Sequence, residues 1–358
     1  MRKVIVIAGG GTGGHIYPGI AIARAIQKQE PATEIHFVGS LSGLEQKIIP
    51  KEGFPLHLIA GGKLNFSGNR LNKIKTLLRL PIGFAQSVLL ILRLKPAIVL
   101  GVGGYASGPF VLAAALLGRS TAIWEPNAHP GMANRWLSRF VQKCFVVFVE
   151  SKSFLSCKNI EVIGMPVRAE IEKQDGFRIP HSEFHILHYG GSQGARVIGR
   201  TLCEAIKKGG SWLREVRIVH QSGSLDHSDF LQKYQGFEGQ VELQEFIYDM
   251  PKYYRWADLV ICRSGASTLT ELAAFGLPAI VIPLPLADGH QEQNAMSLVQ
   301  GGAAVLIPQQ ELTADRLVAE IERLRSQPDL LESLANNIKK FYKPQAADRL
   351  AAVLLGSQ

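Results

Sequence analysis

Three glycine-rich loops in this chain have the composition to hold an anion. The first is Gly9-Gly10-Gly11-Thr12-Gly13-Gly14-His15, with a formal G-x-G-x-x-G at Gly9, Gly11 and Gly14. Glycines let backbone N–H groups come close to a ligand, and the N-terminus of a following helix adds its dipole. A dinucleotide site also needs an acidic residue at the end of the second strand to hold the ribose. Here that strand ends Phe37-Val38-Gly39-Ser40, so a nicotinamide dinucleotide is excluded. His15 closes the loop and faces the same space. A lone histidine is usually a cap or a packing side chain, but on this loop the functional reading is the stronger one.

The second loop, Gly103-Gly104-Tyr105-Ala106-Ser107-Gly108-Pro109, also follows a strand. Open α/β sheets bind ligands at that edge. Either loop alone is explained by a tight turn; the pair in one basic domain points to a diphosphate grip. The third, Gly190-Gly191-Ser192-Gln193-Gly194-Ala195-Arg196, opens a helix and offers backbone donors, the Ser192 hydroxyl and the helix dipole. It lacks the Lys-Ser/Thr of a P-loop, which argues against an NTPase.

Two further segments carry polar groups at strand ends. In Arg263-Ser264-Gly265-Ala266-Ser267-Thr268-Leu269-Thr270-Glu271 a turn of small residues leads into a helix with a carboxylate one turn inside. Glu271 is there suited to accept both hydroxyls of a ribose; an exposed helical glutamate is otherwise ordinary. The segment Asp288-Gly289-His290-Gln291-Glu292-Gln293-Asn294 offers side-chain hydrogen bonds to a sugar, or a helix cap. No Asp-x-Asp occurs, so no metal is expected to bridge a nucleotide diphosphate. The charge of a leaving diphosphate then falls to a helix dipole, Ser192 and a basic residue such as Arg168.

Short β-branched runs alternate with helical patterns, which is the signature of βαβ units and parallel sheets. Strands are expected at residues 4–8, 35–38, 98–101, 122–124 and 144–149, with a helix over 18–29. The pattern restarts with strands at 185–189, 217–220, 241–244, 259–262 and 279–282, and helices at 197–207, 267–275, 288–300 and 314–325. The architecture is α/β: two Rossmann-like domains with a cleft between them. The seam falls near Gly164-Met165-Pro166, giving domains of 1–164 and 165–340. A last helix over 346–355, in a tail of 341–358, packs on one or other domain.

Residues 1–165 hold 19 basic and 7 acidic side chains, and 166–358 hold 20 and 23. No acidic residue stands between Glu52 and Glu125, so the first half should seek an anionic surface. Residues 63–95 interleave Lys63, Arg70, Lys73, Lys75, Arg79, Arg93 and Lys95 with leucines and isoleucines, as an interfacial membrane contact requires. About half of that apolar set belongs to an ordinary core. Nucleic acid competes for the charge, but no nucleic-acid-binding motif is present. The four cysteines are far apart, as in a reduced intracellular protein. No signal peptide or spanning segment is expected.

Taken in order, these motifs resemble the MurG family, bacterial N-acetylglucosaminyltransferases that make lipid II from lipid I. The likeness runs almost end to end: the first loop with Pro18-Gly19, residues 101–109, Glu125-Pro126-Asn127 with Pro130-Gly131, Gly164-Met165-Pro166-Val167-Arg168, residues 190–196, Glu245-Phe246-Ile247, residues 263–271, and His290-Gln291 before Asn294-Ala295. The resemblance implies a GT-B fold and inverting transfer of N-acetylglucosamine from UDP-GlcNAc to the C4 hydroxyl of the MurNAc-pentapeptide of lipid I. It also implies a part in peptidoglycan synthesis, cell shape and division, and a peripheral place on the cytoplasmic face of the cell membrane. No cofactor, metal or nucleic-acid partner is implied.

Carried over by motif, the donor site is Thr12, Gly13, Gly14, Asn127, Arg168, Ser192, Ile247, Ala266, Ser267, Thr268, Leu269, Thr270, Glu271 and Gln291. Ile247 would meet uracil through its backbone, Glu271 the ribose, Gln291 and Asn127 the sugar hydroxyls, and Ser192 and Arg168 the diphosphate. Gly103, Gly104, Tyr105 and Ser107 would take the acceptor pyrophosphate. His15 would act as general base, with Glu125 sharing the catalytic role. The family usually reads His-Glu-Gln-Asn where this chain has Trp124-Glu125-Pro126-Asn127. A diacylglycerol glucosyltransferase or other GT-B lipid glycosyltransferase is disfavoured by the order of the loops. A UDP-GlcNAc 2-epimerase shares fold and donor, but has little use for the acid-free basic domain or the second loop.

Overall fold

The computed structural model describes residues 3–41, 43–60, 70–167, 169–172, 183–190, 194–285 and 288–356. They form two compact units, one of residues 1–168 with 343–358 and one of 169–342. The chain thus leaves the first unit four residues beyond Gly164 and returns to it for its last helix.

The first unit is built on seven parallel strands: β1 (Val4–Gly9), β2 (Glu34–Ser40), β3 (Leu56–Ile59), β4 (Ile98–Gly103), β5 (Ser120–Glu125), β6 (Lys143–Val146) and β7 (Ile160–Val162), in the order β3-β2-β1-β4-β5-β6-β7. Its helices are α1 (Gly13–Gln29), α2 (Glu45–Lys51), α3 (Arg70–Leu94), α4 (Ser107–Leu116) and α5 (Met132–Leu137). Strands such as β1 and β4 are apolar along nearly their whole length because helices cover both faces of the sheet.

The second unit holds α6 (Ala169–Glu172), β8 (Phe184–Tyr189), α7 (Arg196–Lys208), β9 (Val216–Gln221), α8 (His227–Lys233), β10 (Val241–Gln244), α9 (Met250–Trp256), β11 (Leu259–Cys262) and α10 (Ala266–Phe275). It continues with β12 (Ala279–Val281), α11 (His290–Gln300), β13 (Val305–Leu306), α12 (Ala314–Ser326) and α13 (Pro328–Lys339). Its six strands are parallel, in the order β10-β9-β8-β11-β12-β13. Two Rossmann-like sheets are therefore present, each with the strand order that reverses beside its first strand.

The last helix, α14 (Ala346–Leu355), belongs to the first unit and packs on α1. Its buried face is Ala346, Leu350, Ala351, Val353 and Leu354. Gln29 Nε2 donates to Asp348 O at 2.7 Å, and Lys28 pairs with the Asp348 carboxylate at 3.5 Å. Among the described residues no helix is long and apolar enough to cross a membrane.

Candidate active site

A doubly wound sheet opens a crevice where its strand order reverses, because consecutive crossovers there run to opposite faces. In the first unit that point lies between β1 and β4, and the first two glycine loops leave from those strands. Gly10 N donates to Gly103 O at 3.1 Å. A Cβ on Gly9 would overlap Gly103 O, and one on Gly104 would overlap Gly10 O. Gly103 and Gly104 also adopt φ of 98° and 85°, which other residues rarely reach.

Thr12, extended before α1, accepts at its carbonyl from the N–H groups of His15 and Ile16, so Gly13, Gly14 and His15 form the helix's first turn. The His15 ring reaches across to the second loop: a Cβ on Gly103 would stand 2.7 Å from its Cε1 and Nδ1. Tyr105 is exposed, and Ser107 is buried in the first turn of α4, its Oγ 2.5 Å from where a Cβ on Gly101 would be. Thr12, Gly13, Gly14, His15, Gly103, Gly104, Tyr105 and Ser107 thus share the C-terminal edge of β1 and β4.

Glu45 beneath this edge is a residue that sequence reasoning passed over. It is 1% exposed. Its Oε2 accepts from Gly11 N at 2.7 Å, and its Oε1 accepts from Ser40 N and Ser40 Oγ, both at 2.9 Å. Side chains on Gly10 or Gly43 would overlap the carboxylate. The acid absent from the end of the second strand therefore stands five residues later and turns back onto the loop's own backbone. The glycines Gly39 and Gly43 that precede it, each with no room for a Cβ beside its side chain, were the available signal.

Glu125 ends β5 and is 2% exposed. Its Oε1 accepts from Asn127 N at 2.9 Å and Asn127 Nδ2 at 3.1 Å. Its Oε2 accepts from Asn134 Nδ2 at 2.8 Å and Gly131 N at 3.1 Å. Burial pushes its pKa up, against the pull of those donors. These bonds shape residues 125–134 and orient Asn127. Trp124 is wholly buried and donates from Nε1 to Gly164 O at 3.4 Å.

The second unit repeats the plan, with its order reversing between β8 and β11. After β8, Gly190 N donates to Gln221 Oε1 at 3.3 Å, and Gly194, at φ 70°, packs so closely on Ser222 that a Cβ would overlap its carbonyl. Arg196 and Arg200 on α7 hold Asp226, at 2.7 and 3.3 Å. The Arg196 hydrogen bond, reinforced by the charge of both guanidinium groups, holds that carboxyl below its ordinary value. Ser192 and, in the first unit, Arg168 lie outside the described residues.

After β11 the chain turns through Gly265 into α10. Ala266, Leu269 and Thr270 are buried, whereas Ser267, Thr268 and Glu271 stay half-buried on the accessible side. Tyr254 Oη donates to Glu271 Oε2 at 2.7 Å. Ser264 ties this turn to α11: its Oγ donates to Gln291 O at 2.7 Å and its carbonyl accepts from Asn294 Nδ2 at 3.2 Å. The Gln291 side chain accepts from Leu284 N at 3.0 Å. Arg263 clamps the same edge from Nη1 to Ile282 O and Pro283 O at 3.0 and 3.1 Å, and burial lowers its pKa. Ile247, beyond β10, is buried between exposed Phe246 and Tyr248. Ser264, Asn294 and Tyr254 were not foreseen. The first two lie inside quoted motifs; Tyr254 carries no sequence signal.

On α3, Gly83, Ser87 and Ile91 face inward at four-residue spacing, while Ile82, Leu89 and Leu92 are exposed beside Arg93. Residues 63–69 of the basic, apolar segment, and the side chains of residues 70–80 with Arg70, Lys73, Lys75 and Arg79, lie outside the described residues.

Residues 5–146 match the glycosyltransferase family 28 N-terminal domain, and residues 185–350 match the family 28 C-terminal domain. The UDP-N-acetylglucosamine--N-acetylmuramyl-(pentapeptide) pyrophosphoryl-undecaprenol N-acetylglucosamine transferase of Bdellovibrio bacteriovorus is 55% identical over 355 residues, covering 99% of each chain. The Myxococcus xanthus protein of the same name is 42% identical over 357 residues, 99% of this chain and 92% of its own. The crystal structure of Acinetobacter baumannii MurG superposes with a TM-score of 0.82 at 28% identity, covering 99% of this chain and 100% of that one. A UDP-GlcNAc 2-epimerase from Neisseria meningitidis, bound to UDP-GlcNAc, superposes at 0.66 with 15% identity over 99% of this chain and all of its own. That likeness is one of fold.

Proposed function

The chain belongs to glycosyltransferase family 28, and from that premise we propose that it moves N-acetylglucosamine from UDP-GlcNAc to the C4 hydroxyl of the MurNAc-pentapeptide of lipid I. The product is lipid II, the precursor for peptidoglycan. The observation that carries this reading is the full-length 55% identity to a transferase of that name, against 15% for an epimerase of like fold.

The second unit takes the donor. Glu271 receives the ribose hydroxyls, Ile247 the uracil through its backbone, and Gln291, with Asn127, the sugar hydroxyls. The turns of Ser267 and Thr268, with Ser192 and Arg168, hold the diphosphate, and helix N-termini stabilise charge as UDP leaves. The first unit takes the acceptor. Gly103, Gly104, Tyr105 and Ser107 hold its pyrophosphate, while Thr12, Gly13 and Gly14 supply backbone N–H groups to UDP-GlcNAc.

His15 removes the proton from the C4 hydroxyl as that oxygen attacks C1 of the sugar from the face opposite UDP, which inverts the anomeric carbon. The close approach to Gly103 supports this role by fixing the ring beside the acceptor loop. Glu125, with four donors on its carboxylate, serves as a positioning residue for Asn127. The exposed Ile82, Leu89 and Leu92 with Arg93, in a unit rich in basic residues, support a peripheral contact with anionic lipid on the cytoplasmic face of the membrane.

The test is to incubate the protein with radiolabelled UDP-GlcNAc and a lipid I analogue of shortened lipid, with EDTA present. A labelled disaccharide and an equal amount of UDP are expected, and His15→Ala should abolish both. UDP released without acceptor, together with free sugar, would replace this reading with the epimerase one. Donor binding without product would overturn the acceptor assignment.

A further inference from the structure

Two tyrosines with no part in the scheme above lie directly beneath Glu271. Tyr189 ends β8 and Tyr254 lies on α9; they are 6% and 1% exposed. Their hydroxyls are 2.8 Å apart, and Tyr254 Oη is 2.7 Å from Glu271 Oε2. An ionised carboxylate only accepts, so the single proton of Tyr254 goes to Glu271. Tyr254 must then accept from Tyr189. The chain of hydroxyls runs from Tyr189 through Tyr254 to Glu271.

Neither phenol is free to turn. The Tyr254 ring packs on Phe275 at 5.0 Å between centroids and on Tyr189 at 6.0 Å. Burial raises both hydroxyls well above their ordinary pKa, so each keeps its proton through the neutral range. A partly exposed helical glutamate ordinarily samples several rotamers, and ordering it on binding costs affinity. Here the ordering is done in advance by groups packed in the core.

We infer that Tyr189 and Tyr254 are positioning residues that hold the Glu271 carboxylate in the orientation that receives a vicinal diol, and so set the preference for ribonucleotide over 2′-deoxyribonucleotide sugar donors. This rests on the reading of Glu271 as the ribose-binding group. A tilted carboxylate still meets one hydroxyl; only a fixed one meets two at once, which is why discrimination, more than turnover, should register the tyrosines.

The experiment measures kcat and KM with UDP-GlcNAc and with its 2′-deoxyuridine analogue, at fixed lipid I analogue, for the full-length protein and its Y254F, Y189F, E271A and Y254F/E271A variants. Y254F should raise the donor KM about tenfold with kcat changed less than about twofold, because a bond to a charged group is lost. The ribo-over-deoxyribo preference should fall with it. Y189F should shift both the same way by about threefold, since the Tyr254 bond remains but loses its own support. Adding Y254F to E271A should change nothing further. If E271A keeps the full preference, the ribose reading itself fails and this inference with it. If E271A loses the preference and Y254F keeps it, or if the two effects add independently, the inference alone is overturned. Should Y254F prove unfolded by thermal melting, Y189F decides: an unchanged KM and preference would overturn the role of the pair.

Discussion

The His15 ring lies so close to Gly103 that a single methyl group on that glycine would stand 2.7 Å from its Cε1 and Nδ1. The histidine's position is therefore set by a side chain that is missing 88 residues away in sequence. Gly103→Ala would displace the ring and strain a backbone at φ 98°, a cost of about 1–3 kcal/mol. A displacement of about 1 Å at a reacting group costs about a hundredfold in rate. Steady-state kinetics should show kcat down by about that factor, with donor KM unchanged. A Gly103→Ala enzyme with normal kcat would detach His15 from the chemistry.

Glu45 predicts a different pattern. Its carboxylate satisfies the N–H groups of Gly11 and Ser40 and the Ser40 hydroxyl, all near the first loop. Glu45→Gln keeps the shape but turns an amide donor toward donors. Leaving buried groups unpaired costs about 1–3 kcal/mol each, so urea denaturation should show a loss of about 2–4 kcal/mol. Loss of activity should exceed what the unfolded fraction explains, because Gly11 is in the loop itself. A variant as stable and active as the parent would mean that the loop does not depend on this carboxylate.

What was legible in the sequence is what backbone conformation demands locally. Glycines at 10, 11, 103, 104 and 194 all adopt positive φ, and each stands in a loop read as a ligand site. Helix α1 begins at Gly13, five residues before the expected Pro18, because Gly13 and Gly14 read as loop while the extended Thr12 starts the helix. Strands β3 and β7 went unseen because each is short and interrupted by a polar residue, His57 or Glu161, so neither gives a run of β-branched residues. Glu45, Tyr189 and Tyr254 could not be found by spacing. Ser40 apart, the partners of Glu45, Tyr189 and Tyr254 named above lie 34, 65 and 17 residues away, and only the fold brings them together. The partner of α14 was equally hidden, since an amphipathic face states that it is covered and not by what.

Glu125 gives a pH signature. Burial raises its pKa above 4.5, so in that range the folded protein holds a proton that the unfolded chain has released. Its contribution is fully present below 4.5 and is lost as pH rises through the folded value. Glu125→Gln should remove that component, so the stability difference between the parent and the variant should change between pH 4 and neutrality. At neutral pH the variant should also bind UDP-GlcNAc more weakly, because its amide nitrogen faces the donors of Gly131 and Asn134 or of Asn127. Melting curves across that range check the first point. A constant difference at every pH would show that Glu125 ionises as freely as in the unfolded chain.

His188 and His220 predict the opposite trend in the second unit. They stand on neighbouring strands β8 and β9, both buried, with ring centroids 4.8 Å apart. His188 Nδ1 donates to Ile261 O at 2.9 Å, and His220 Nδ1 meets the Tyr234 hydroxyl at 2.7 Å. Burial lowers the His188 pKa from 6.5 to about 4, opposed by the Ile261 carbonyl and assisted by the nearby Arg263. His220 falls well below 6.5 through burial and the charges that His188 and His227 would carry. Both rings are neutral in the fold, so their contribution is present above pH 6.5 and is lost as pH falls toward the folded values. Between pH 7 and 5, His188 alone should cost about 2 kcal/mol, from the linkage of a group that titrates at 6.5 unfolded and about 4 folded. His188→Asn keeps a donor for Ile261 O but cannot titrate. It should be less stable than the parent at pH 7, yet lose about 2 kcal/mol less on going to pH 5. Urea denaturation followed by tryptophan fluorescence at the two pH values measures that difference directly. If the variant shows the parent's full pH dependence, the acid sensitivity of this unit comes from groups other than the buried ring of His188.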